Sequence, residues 1–130
     1  MKKVGLNMTM ALLMTVAANA QDTAGLEQLQ AMAAKANTAS SHAAVARQYR
    51  GYAEALNAKA ASHEREVADL TRAAGASIHK WPGSASGALQ KAKANAVEAR
   101  KEAREASALA DRHIRLAVEA QATNEVVAGN

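Results

Sequence analysis

The sequence contains no cysteine and no phenylalanine, with one proline, one tryptophan and two tyrosines in 130 residues. Without cysteine there is no disulfide, no thiolate metal site and no lipid attachment at an exported N-terminus. An aromatic share of 2% argues against sandwiches, barrels and doubly wound sheets, which draw on many aromatic and β-branched residues. The lone proline, Pro82, leaves long stretches on either side free of strong helix breakers.

What the chain does have is alanine, at 36 positions. Only 19 of the last 110 residues are Val, Ile, Leu, Met, Trp or Tyr. At about 25 cal/mol per Å² of apolar surface buried, such a chain cannot build a thick core. It suits thin helical packing, because alanine favours helix at no cost in side-chain entropy.

The N-terminus reads as an export signal. Lys2 and Lys3 precede a mildly apolar stretch through Ala11–Ala17, and Ala18-Asn19-Ala20 supplies a small-residue cleavage site. Residues 1–20 are therefore expected to be removed, leaving Gln21 first in a periplasmic or secreted protein. An uncleaved anchor would need about 20 predominantly apolar residues, whereas Asn7, Thr9 and Thr15 interrupt this stretch. No later segment is apolar enough to span a membrane. Loss of Lys2 and Lys3 lowers the formal charge from +4 to +2. The basic residues from Lys91 are followed by Glu98, Glu102 and Glu105, a mixed-sign solvated face rather than a nucleic-acid surface.

Apolar spacing gives an all-α reading with three helices. The first covers about Thr23–Ala36 within a segment 21–40. It either breaks at Asn37–Ser41, whose side chains compete with helix, or runs on through a weak point. The second runs from about Ser41 to Ala74 with a stripe of Val45, Tyr49, Tyr52, Leu56, Ala60, His63, Val67, Leu70 and Ala74. Part of it repeats every eleven residues, the period of a nearly straight helix. Gly75 through Ser84, with Trp81-Pro82-Gly83, marks a turn. The third helix runs from about Ala85 to Ala122, and residues 123–130 form a tail. Its seam, Leu89, Ala92, Ala96, Ala99, Ala103, Ala106, Ala110, His113, Ala117 and Ala120, is almost all alanine. A second stripe holds Val97, Leu109, Ile114 and Leu116. The expected architecture is a long antiparallel hairpin over 41–122, coiled-coil-like, with a short third helix before it. Tyr49, Tyr52, Leu56, Val67, Leu109, Ile114 and Leu116 form its interaction seam. So thin a core leads us to expect a homo-oligomer, such as two hairpins in a four-helix bundle, or an envelope protein as partner.

Catalytic constellations are lacking. There is no Glu-x-x-His and no His-Glu-x-x-His, and Gly83-Ser-Ala-Ser-Gly87 has alanine where a nucleophile would stand. The chain is expected not to be an enzyme and to need no cofactor. Four histidines, His42, His63, His79 and His113, are the candidate divalent-metal ligands, for copper, zinc or nickel. Reflecting the hairpin about residue 80 sets His113 beside Tyr49 and Tyr52, and His42 near Glu119. His63 and His113 are then too far apart to share one site. The alternative is that His63 and His113 are polar seam residues, satisfied by a tyrosine hydroxyl or by Glu66, that fix register. A third reading makes the imidazoles pH-responsive groups.

The phrases Ser41-His42-Ala43 with Tyr49, Ala60-Ala61-Ser62-His63, His79, and Leu109-Ala110-Asp111-Arg112-His113 before Leu116-Ala117 resemble small exported bacterial alanine-rich proteins of unassigned activity. The resemblance covers about residues 40–120 and implies a helical fold and export. Lys80 stands where that pattern carries cysteine, which removes any thiol chemistry the pattern implies.

Overall fold

The computed structural model describes residues 22–76 and 84–129. It contains three helices, α1 (Asp22–Lys35), α2 (Ala39–Ala76) and α3 (Ser84–Ala128). The export signal, the Trp81-Pro82 turn and His79 lie outside the described residues. α2 and α3 pack along their length as a hairpin, and α1 lies against α2.

The break between α1 and α2 falls at Ala36–Thr38, where either a break or a weak point was expected. Local hydrogen bonding decides it. Ser41 Oγ accepts from the Asn37 and Thr38 backbone N–H groups at 3.0 and 2.9 Å. The Ser41 N–H donates back to Thr38 Oγ1 at 3.1 Å. This is a reciprocal cap with serine in place of the usual glutamate. It satisfies donors that a helix start leaves orphaned, and so ends one helix and begins another without glycine or proline.

The alanine seam of α3 is realised along its whole length. Ala92, Ala96, Ala99, Ala103, Ala106, Ala110 and His113 are buried, and Leu89, Ala117 and Ala120 are half-buried at its ends. On α2, Val45, Tyr49, Leu56 and Ala60 are buried, while Tyr52, His63, Val67 and Leu70 are half-buried. Ala46 and Ala53 are buried too, though the stripe read from the sequence omits them. They lie on the edge that meets α3, where methyl groups let the backbones close in.

α1 adds the thickest part of the core. Leu29 joins a cluster with Val45, Tyr49, Ala53, Ala106 and Ala110, flanked by Leu26, Tyr52 and Leu109. The second stripe of α3 divides. Leu109, Ile114 and Leu116 are half-buried, but Val97 is 66% exposed and packs on no second helix. Val97 stands twelve residues from Leu109, about 120° around the helix, which puts it on the face turned away from α2. The expected tail from residue 123 continues as helix to Ala128. Its alanine and valine content supports that conformation, and its side chains are exposed. Among the described residues no helix is long and apolar enough to cross a membrane.

Candidate functional site: a histidine pair between two helices

The cap at Thr38 sets the phase of α2. The His42 N–H bonds to the Thr38 carbonyl at 2.9 Å, which places the imidazole in the first full turn and toward α3. His113 arrives from α3 as the one polar member of the seam, 7% exposed. The two Nδ1 atoms lie 3.0 Å apart. The His113 ring also stacks on Tyr49, with centroids 6.0 Å apart and planes 19° from parallel.

His113 thus sits between His42 and Tyr49, residues two turns apart on α2. The reflection that sets His42 at the height of Glu119 did not anticipate this contact. The reflection about residue 80 counted one partner per height and put Tyr49 opposite His113. It left out the reach of two rings, which lets His42 contact a residue six positions, or about 9 Å, closer to the turn than Glu119. A second crossing shows the same register. Arg100 on α3 donates Nε and Nη2 to the two Glu64 carboxylate oxygens at 3.0 Å each, and Nη1 to Asn57 Oδ1 at 2.9 Å. It too bridges positions two turns apart on α2. This bidentate pair holds the Glu64 carboxyl below its usual range through hydrogen bonding and charge. The sequence reading missed Arg100; only its place beside the seam, one residue after Ala99, could have signalled it.

The orientation of the rings decides what the pair can do. Their centroids are 5.2 Å apart, 2.2 Å more than the nitrogens, or about two imidazole radii. The nitrogens therefore face each other nearly along the line joining the rings. That is the geometry of one shared proton, with one imidazole donating from Nδ1 and the other accepting. A metal bound at about 2.0–2.1 Å from each nitrogen would sit off that line, with both lone pairs turned toward it.

His113 is held below its ordinary pKa by burial first, then by His42 and Arg112. Burial likewise raises the Tyr49 phenol.

The three described histidines do not come together. His42 and His113 meet, while His63 bonds through Nδ1 to Glu66 Oε2 at 3.3 Å, one of the partners anticipated for it. Among the described residues no group of three or more His, Cys, Asp or Glu side chains converges as a metal site. Of the expected seam, Tyr49 and Leu56 are buried, and Tyr52, Val67, Leu109, Ile114 and Leu116 line its margins. No family model, no curated protein and no solved structure matches this chain.

Proposed function

We propose that the chain is a non-enzymatic, exported helical interaction protein that associates with itself or with another envelope component. The thinness of its interior carries this reading. Among the described residues, nine of the thirteen buried apolar residues are alanine, and Tyr49 and Val45 are the largest fully buried side chains. Fixing a residue costs about 1–2 kcal/mol, and a buried methyl returns only part of that. Packing against a second surface supplies burial that the hairpin lacks. Sedimentation velocity on the exported chain tests this, and we expect a species heavier than the monomer at micromolar concentration. A cooperatively folded monomer at all concentrations would remove it. Export rests on Lys2-Lys3 and Ala18-Asn19-Ala20, and the mass of the secreted chain should begin at Gln21.

The His42–His113 contact favours a second reading, in which acid loosens the hairpin and so regulates its association. The same two nitrogens are the strongest basis for a copper, zinc or nickel site, but their head-on approach suits a proton better than a metal. Calorimetric titration with Cu²⁺, Zn²⁺ and Ni²⁺ separates the two. Micromolar binding lost in both His42→Ala and His113→Ala would favour the metal.

A further inference from the structure

α1 covers part of one flank of the hairpin, and among the described residues nothing covers the other. There an open groove of about 480 Å³ runs between α2 and α3, with Ala43, Ile114, Ala117 and Val118 along it and Arg47 and Arg50 on its rim. Val118 is 63% exposed. By helical spacing Ala43, Arg47, Arg50 and Glu54 form one stripe on α2, and Arg104, Ser107, Asp111, Ile114 and Val118 form one on α3. Both stripes point out of the hairpin plane, away from α1.

The charges on these stripes are ordered. The His113 and Arg100 crossings both reflect α2 onto α3 near residue 80. Asp111 therefore stands at the height of about residue 49, between Arg47 and Arg50. Arg104 stands at about residue 56, beside Glu54. Read away from the cap at Thr38, the α2 edge is basic, basic, acidic, and the α3 edge at matching heights is acidic, neutral, basic. All five charged side chains are exposed, and none forms an ion pair among the described residues.

A two-fold axis parallel to the hairpin would lay α2 of one copy antiparallel over α3 of the other. Arg47 and Arg50 then meet Asp111 of the partner copy, Glu54 meets Arg104 of the partner copy, and each contact occurs twice. The groove floors, built of small side chains with Ile114 and Val118, would close against each other. We infer that this flank is a self-complementary interface, and that its occupant is a second copy of this chain in an antiparallel four-helix core with α1 on each outer face. The inference rests on the self-association reading and names the surface that performs it.

Charge exchange tests it on the full chain. Arg47→Glu with Arg50→Glu places acid opposite Asp111, and Asp111→Lys places base opposite Arg47 and Arg50. Each variant alone should raise the dimer dissociation constant at least about tenfold, because like charges are juxtaposed twice. An equimolar mixture restores opposite charges at both contacts and should return to within about threefold of wild type as a heterodimer. Circular dichroism should show unchanged helix, since all three positions are exposed. If each variant dimerises as wild type does, this flank is not the interface, although self-association stands. Weakened variants that fail to rescue each other overturn the proposed pairing. Wild-type chain that stays monomeric at the highest soluble concentration removes both the surface and the reading beneath it.

Discussion

His42 and His113 meet Nδ1 to Nδ1 at 3.0 Å across the hairpin, so the two imidazoles cannot share a tautomer. One must carry its proton on Nδ1 and the other on Nε2. Nitrogen-15 NMR at neutral pH should show two different tautomers with one slowly exchanging ring N–H. Two identical tautomers would mean the bond is not made in solution.

The same contact sets an acid limit. His113 has a folded-state pKa below its unfolded value of 6.5, through burial, His42 and Arg112. In the interval between the two values the unfolded chain binds the extra proton, so stability rises with pH there. The contribution is complete above about pH 6.5 and is lost as pH falls through the depressed folded value. Thermal midpoints measured from pH 8 down to pH 5 should therefore fall, and His113→Leu should flatten the slope. An unchanged slope in that variant would place the acid sensitivity elsewhere.

Substitution in the seam should punish size. Ala110 has no exposed surface, and Ala103 has 1%. Ala103→Leu or Ala110→Leu would force the backbones apart, at about 1–3 kcal/mol or more of destabilisation in urea titrations. Ala108→Leu, on the exposed face of the same helix, should stay within about 0.5 kcal/mol.

Tyr49 is the opposite case, a large ring 2% exposed where α1, α2 and α3 meet. Tyr49→Ala opens a cavity there and should cost about 3–5 kcal/mol, as for other buried aromatic truncations. Protease sensitivity between α1 and α2 should rise with it.

Gly51 lies inside α2 with nothing within 4 Å of where a Cβ would stand. Gly51→Ala should stabilise the chain by about 0.5–1 kcal/mol through helix propensity alone. A loss of stability would reveal a contact at this position that the isolated chain does not make.

The seam was legible because alanine at three-four spacing has one geometric meaning. Two helices meet there, and every position from Ala92 to Ala110 obeys it. The reflection about residue 80 was legible from Trp81-Pro82 in the same way. The histidine contact was not, because a reflection treats side chains as points. His42 and His113 meet through the combined length of two rings, each leaning along the helix axis. Arg100 was hidden for the same reason: its reach, not its position, finds Glu64 and Asn57. Val97 misled because the second stripe grouped residues that the helix separates: twelve positions from Leu109 turn it about 120° away, onto the solvent face. The bare flank emerges only when one side is seen to be covered, since Arg47, Arg50 and Asp111 each read singly as ordinary solvated charges.

A row of identical methyl groups has a mechanical consequence. Slide α3 past α2 by one turn, and α3 presents the same face, alanine replacing alanine from Ala92 to Ala110. The α3 side of the seam therefore offers no notch of its own to Val45, Tyr49 and Leu56, the large side chains that α2 buries. Position is held by two latches, the His42–His113–Tyr49 stack and the Arg100 clasp on Glu64 and Asn57, thirteen residues or about 20 Å apart along α3. The α3 face is a smooth rack with a polar catch at two points, and one of the two catches releases with a proton.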